Sequence, residues 1–213
     1  MLRNTLPLIL FACAVLEAAP RTGEEIVFDL DPAHTEIQFT LSDVLHTVHG
    51  TFQLKSGSVR FDPATGKAAG ELIVDVTSGE SGSKGRDRRM HKDVLESQRY
   101  PEAVFIPDHV AGSIAPEGAA QVEVHGVFKI HGAEHELMLA VQVERKGDQL
   151  TATTHFVVPY AKWGMKNPST FLLRVGDKVE IDIRATAHAR SGAIQATVAA
   201  PAGIRAVGSI SRR

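Results

Sequence analysis

Between Ile26 and His188 this chain repeatedly alternates apolar and polar side chains, a period that sends successive residues to opposite faces of an extended strand. In "TEIQFTLS", Ile37, Phe39 and Leu41 share one face and Glu36, Gln38 and Thr40 the other. "GSVRFDPATGK" ends a strand at Asp62 and turns through Pro63 and Gly66, and "GELIVDV" then aligns Leu72, Val74 and Val76, so the two form a hairpin. A strand near Val48 to Leu54 and the runs "EAVFIPDHV", "AAQVEVHGVFKIHG", "EHELMLAVQVERKGD", "QLTATTHFVVP" and "VGDKVEIDIRATAH" repeat the pattern. "IHGAEHE" and "KGDQ" are connections tight enough to make sequence neighbours antiparallel neighbours. The count, about eight to ten antiparallel strands without a strand-helix rhythm, excludes doubly wound α/β architectures. So many long strands must dispose of their edges. Closure into a barrel of about eight strands removes them and leaves an interior that side chains fill or that holds one elongated ligand, and a packed sandwich is the competing arrangement.

At 213 residues, 43% hydrophobic and 23% charged, the chain suffices for one domain with its own core. A net charge of -2, with Lys and Arg interleaved among acids, provides no field for nucleic acid or an anionic membrane. Residues 1–19 carry Arg3 and then an apolar run from Leu6 to Leu16, too short to span a bilayer as a helix, which takes about 20 residues. We read this stretch as an export signal. "LFAC" at Leu10 to Cys13 also resembles a lipoprotein processing site, which would leave Cys13 as a lipidated first residue and sole membrane anchor. The expected location is periplasmic or secreted, or anchored to a membrane as a lipoprotein. No cysteine follows Cys13, which excludes intrachain disulfides, cysteine metal sites and thiol nucleophiles from the mature domain. The domain is expected over residues 25–189, with 190–213, rich in small residues, as a poorly ordered tail.

One segment breaks the alternation. In "RDRRMHKDVLESQ", Met90, Val94 and Leu95 form a narrow apolar stripe on a charged helix, which "YP" at Tyr100 and Pro101 is expected to stop. Such a helix can bury only one side, which suits the mouth of a barrel. The preceding "TSGESGSKG" imitates a phosphate-binding loop, but Lys84 follows Ser83 and Gly85 stands where a magnesium-binding hydroxyl is needed.

The order "AHTEIQF", "HTVHGTF", "GSVRFD", "RDRRMHKDVLESQRYPEAVF", "VHGVFKIHG" and "LRVGDKVEIDI" resembles the YceI-like family over most of residues 26 to 187. Arg86 and Asp87 ahead of the helix and the "YP" strand start are the most specific marks. The chain departs from the family at "VVPYAKWGMKNPSTF", where many members carry an Arg-x-Asp-Phe-Gly element. The resemblance implies an all-β fold, a lipocalin-like antiparallel eight-stranded barrel with one short helix closing an end. It implies a periplasmic partner that is an isoprenoid or other long-chain lipid, and no cofactor. Candidate tail contacts on the strands are Phe39, Leu41, Leu72, Val74 and Phe105, followed by Phe128, Leu137, Leu139 and Phe156. Trp163 and Met165 join them from the loop before the last strand. At the mouth, Lys84 and Arg86 could meet a polar or pyrophosphate head, or Arg86 and Asp87 could simply hold the loop to the barrel. A homodimer is compatible with the sequence.

The second binding hypothesis uses histidine. His125 and His131 would share a face if they lay on one uninterrupted strand, and His135 could meet them across the turn to hold zinc or copper. Solvated strand histidines are the alternative. We expect no catalysis: there is no G-x-S-x-G, H-E-x-x-H, dinucleotide-binding glycine turn or available thiol.

Overall fold

The computed structural model describes residues 25–42, 47–170 and 174–192. The expected signal segment 1–19, Cys13 and the tail beyond residue 192 lie outside the described residues. Alternation folds as expected into strands: β1 (Glu25–Leu30), β2 (Glu36–Ser42), β3 (Thr47–Phe61), β4 (Ala68–Glu80), β5 (Glu102–Ala111), β6 (Glu117–Ile130), β7 (Ala133–Lys146), β8 (Gln149–Val158) and β9 (Val179–Gly192). All pair antiparallel in the order β1-β3-β2-β9-β8-β7-β6-β5-β4, and β3 also pairs with β4. That last pairing closes the ring and decides for a barrel over a sandwich.

Nine segments occupy eight positions. Both β1 and β2 lie between β3 and β9: Phe28 pairs with Val59 and Ala189, while Phe39 pairs with Gly50 and Ile181. They are one barrel strand interrupted by a short 3₁₀ turn at Pro32–His34. Pro32 cannot donate to a ladder, and the Asp31 side chain accepts from the Ala33 N–H at 2.8 Å, so the chain steps out before resuming its alternation. "TVHGTF" and "GSVRF" are likewise parts of the single strand β3, with register shifts opposite β4.

Two tight hairpins follow from their turn residues. At Ile130-His131-Gly132-Ala133 both central residues have positive φ, 51° and 77°, the conformation whose twist matches the flanking strands. Gly147, φ 62°, opens the turn between β7 and β8. Arg190 to Gly192, expected in the tail, instead continue β9 and pair with β1. Arg190 Nε donates to Asp29 at 2.5 Å and Ser58 Oγ donates to the same carboxylate at 2.7 Å. The Arg190 bond, then the Ser58 bond, hold the Asp29 carboxyl below the usual range.

The packed core lies at the end where β1 begins and β9 ends: Phe28, Phe61, Val110, Val122, Val143, Leu150 and Ala187. Phe61 is its most deeply buried large side chain. A second buried cluster, Val158, Tyr160 and Met165, sits at the opposite end, beneath the connection from β8 to β9. Between the two the barrel is hollow.

Candidate functional site

Each strand contributes its inward-facing residues to the hollow. The larger cavity, about 600 Å³, occupies the half of the barrel beneath the charged helix. Its wall includes Phe39, Leu41, Val74, Phe128, Phe156 and Met165 from the sequence-derived set. A smaller cavity of about 200 Å³ lies toward the packed base, and Leu72, Phe105, Leu137 and Leu139 line it together with Val74, Phe128 and Phe156. Phe39 reaches the wall because its partner is Gly50: a Cβ there would stand 2.3 Å from the Phe39 ring and 2.3 Å from the Glu80 carbonyl oxygen. Gly126 performs the same service on β6, where a Cβ would meet the Ile106 carbonyl oxygen at 2.4 Å.

Trp163 does not line either cavity. Its ring stacks on His135 with centroids 3.8 Å apart and planes 8° apart, and it flanks Phe128 at 6.1 Å. This contact docks the β8–β9 connection onto β7. Tyr160 secures the same connection by donating its hydroxyl to the Gly176 carbonyl at 2.6 Å, and Asn167 Nδ2 donates to the Val175 and Gly176 carbonyls at 3.3 Å each. Burial, with Asp177 nearby, pushes the Tyr160 hydroxyl up to about 12, so it remains a donor. Tyr160 carries no periodic signal that could have singled it out.

The helix is shorter than its charge pattern predicts. Helix α1 (Lys84–Arg89) passes into a π turn at Met90–Val94, and the chain reverses at Glu96, φ 44°, before Tyr100 and Pro101 are reached. The Ser97 N–H donates to the His91 carbonyl at 3.0 Å across this reversal. Met90, Val94 and Leu95 line the larger cavity, so the apolar stripe forms a lid. His91, which sequence reasoning missed, fastens it: one ring nitrogen lies 2.8 Å from the Gly79 carbonyl oxygen and the other 3.0 Å from Ser97 Oγ.

Ser81 organises the rim. Arg86 Nε donates to Ser81 Oγ at 2.7 Å and Arg86 Nη2 to the Ser81 carbonyl at 2.6 Å. Asp87 accepts the Ser81 N–H at 2.9 Å and the Ser81 hydroxyl. Arg86 and Asp87 thus pin the loop by charge-assisted bonds. Arg86 also lines the cavity, as do Ser81 and Arg89, while Lys84 is exposed outside its wall.

The three histidines are not brought together. The strand carrying His125 ends at Ile130, so His131 falls in the turn, where its ring lies 4.6 Å from Tyr100 and Nε2 is 3.6 Å from Glu96. His125 meets Asp108 at 2.7 Å, and His135 lies under Trp163. Among the described residues no group of three or more His, Cys, Asp or Glu converges to hold a metal ion. The histidine metal site is therefore overturned by the turn at His131.

His135 has another consequence. Burial lowers its imidazole pKa below the ordinary range, so the undocked chain takes up a proton more readily than the docked one. Its contribution to docking is complete above the ordinary imidazole pKa and is lost as pH falls through that value toward the lowered one. Trp163 is the only tryptophan. Its fluorescence should change in a single step centred below the titration of an exposed histidine, and His135→Gln should abolish the step; persistence of the step in that variant would assign it elsewhere.

Fold and site together define a lipocalin-like protein, a closed antiparallel barrel around an apolar cavity with a polar rim at one end. Residues 28–187 match the family model described as the YceI-like domain, and the chain belongs to that family. A UPF0312 protein of Pseudomonas savastanoi pv. phaseolicola is 25% identical over 151 residues, covering 69% of this chain and 76% of the relative. Another, from Pseudomonas fluorescens, is 26% identical over 140 residues, or 61% of this chain and 70% of the relative. Among solved structures, a polyisoprenoid binding domain from Saccharophagus degradans superposes with a TM-score of 0.61 at 19% identity, covering 76% of this chain and 98% of that one. BcnA of Burkholderia cenocepacia does so with a TM-score of 0.62 at 21% identity, covering 74% and 99%. At these identities the structural likeness is one of fold.

Proposed function

We propose that this protein is an exported, non-catalytic carrier that holds a polyisoprenoid or similar long-chain amphiphile in its barrel, in the periplasm or outside the cell. The observation that carries the reading is the cavity of about 600 Å³, walled by aliphatic and aromatic side chains and rimmed by Ser81, Arg86 and Arg89. An apolar tail leaves water at about 25 cal/mol per Å² buried, so several hundred Å² is worth several kcal/mol before the ordering costs of association. The rim leaves a polar or anionic head in contact with guanidinium groups. The Saccharophagus degradans neighbour, described as a polyisoprenoid binding domain, supports an isoprenoid as the tail. Entry and exit use the two elements held by side-chain contacts at this end, the α1 lid and the β8–β9 connection. Mass spectrometry of an organic extract of the natively exported, tag-cleaved protein tests the proposal. One stoichiometric isoprenoid lipid is the expected result; an empty extract from folded protein that also takes up no added lipid would overturn it. The intact mass of the same sample reports whether Cys13 is retained and lipidated.

A further inference from the structure

Among the described residues the two cavities meet at a belt of five side chains, Ile37, Val74, Phe128, Phe156 and Ile183, which face both. The belt draws on β2, β4, β6, β8 and β9, so it runs around the ring rather than along one wall. Within it Phe128 and Phe156, from two strands flanking β7, meet edge to face, with centroids 6.3 Å apart and planes at 79°. That geometry is the one aromatic quadrupoles favour, and Trp163 buttresses Phe128 from outside the cavity. Rings packed in this way are fixed features of an interior rather than fluid filler.

The chambers on either side differ in kind. The larger one carries the polar rim, whereas the smaller is apolar apart from Thr35 and Thr154 and ends on the packed base around Phe61. An amphiphile whose head stays at Arg86 and Arg89 fills the larger chamber first and then meets the Phe128–Phe156 pair with the end of its tail.

We propose that the Phe128–Phe156 pair is a chain-length gauge: it stops the tail at the belt, so the site selects anionic amphiphiles by tail length and the smaller chamber is not part of the site. This rests on the carrier reading above and specifies its ligand class. Each methylene that reaches the wall short of the belt strengthens binding about fourfold, and methylenes beyond it add nothing.

The test is calorimetric titration of the full-length exported protein with farnesyl, geranylgeranyl and solanesyl phosphate. Wild-type affinity should level off before the longest tail. Phe156→Ala should open the belt and tighten solanesyl phosphate by about tenfold or more relative to wild type. Ala152→Leu, which narrows the smaller chamber, should leave all three affinities unchanged alone and reduce the gain when added to Phe156→Ala. Affinity that keeps rising through solanesyl phosphate in the wild type, or that falls in Ala152→Leu alone, overturns the gauge even if Phe156→Ala does not fold. A folded Phe156→Ala variant without the gain does the same. Failure of the wild type to bind any of the three overturns the carrier reading itself.

Discussion

Ile181→Trp should weaken lipid binding by several hundredfold while leaving the barrel as stable as before. Ile181 lies on β9 beside Phe39 and Phe156 in the register and faces the larger cavity. An indole placed there projects into the space that the proposed carrier reserves for a tail. A buried tryptophan occupies about 150–250 Å² of contact area. Displacing about 150 Å² of tail surface at 25 cal/mol per Å² costs binding nearly 4 kcal/mol, several hundredfold. In a filled core the same enlargement would cost about 1–3 kcal/mol of stability through strained rotamers. Here the ring enters a cavity of about 600 Å³, so unfolding by urea should change by less than about 1 kcal/mol. Val157→Trp is the matched control, since Val157 is 43% exposed and lies on the outer face of β8. Equal loss of binding in both variants would place the ligand outside the barrel, and a large loss of stability in Ile181→Trp alone would show that the hollow closes in solution.

The strands and their inward faces were legible in the sequence because a period of two is a local property. Val74, Phe128 and Phe156 face the cavity by their parity in a strand, and Phe39 does so by parity together with the glycine opposite it. Closure was not local. The join between β1 and β9 brings Asp29 to Arg190, 161 positions apart, and the doubling of β1 and β2 into one barrel position depends on what pairs with each. Only the chain as a whole determines either. Loops gave the poorest guidance for a related reason: Trp163 and Met165 lie three and five residues beyond Tyr160 without any period to orient them. One turns to His135 and the other to the cavity. The helix illustrates a competition. Its composition favours continuation to Gln98, but bringing Met90, Val94 and Leu95 onto the cavity widens the coil into a π turn and ends it at Glu96. The histidine hypothesis failed on one residue, His131, whose positive φ in the hairpin broke the strand that the even spacing presupposed.

If half the barrel is hollow, its stability must come from the other half, and Phe61→Ala should be the most damaging single truncation. Phe61 ends β3, is 2% exposed and packs in the base cluster with Phe28, Val110 and Val122. Truncating so deeply buried a phenylalanine loses its transfer energy and adds its volume to the smaller chamber that it borders, about 3–5 kcal/mol together. For a domain of this size that is a fall in Tm of roughly 10 °C, and the urea midpoint should drop with the m-value unchanged. Phe128→Ala supplies the comparison. That ring borders both chambers whereas Phe61 borders only the smaller, so fewer atoms touch Phe128 and more of the space its removal enlarges is already present. The loss at Phe61 should therefore exceed the loss at Phe128 although both remove the same side chain. Equal losses would mean that the wall around the cavity carries as much stability as the base. The division of labour follows from the physics of a binding barrel: the base can be packed because nothing must enter it, and the chamber beneath the lid keeps its space only because the base is packed.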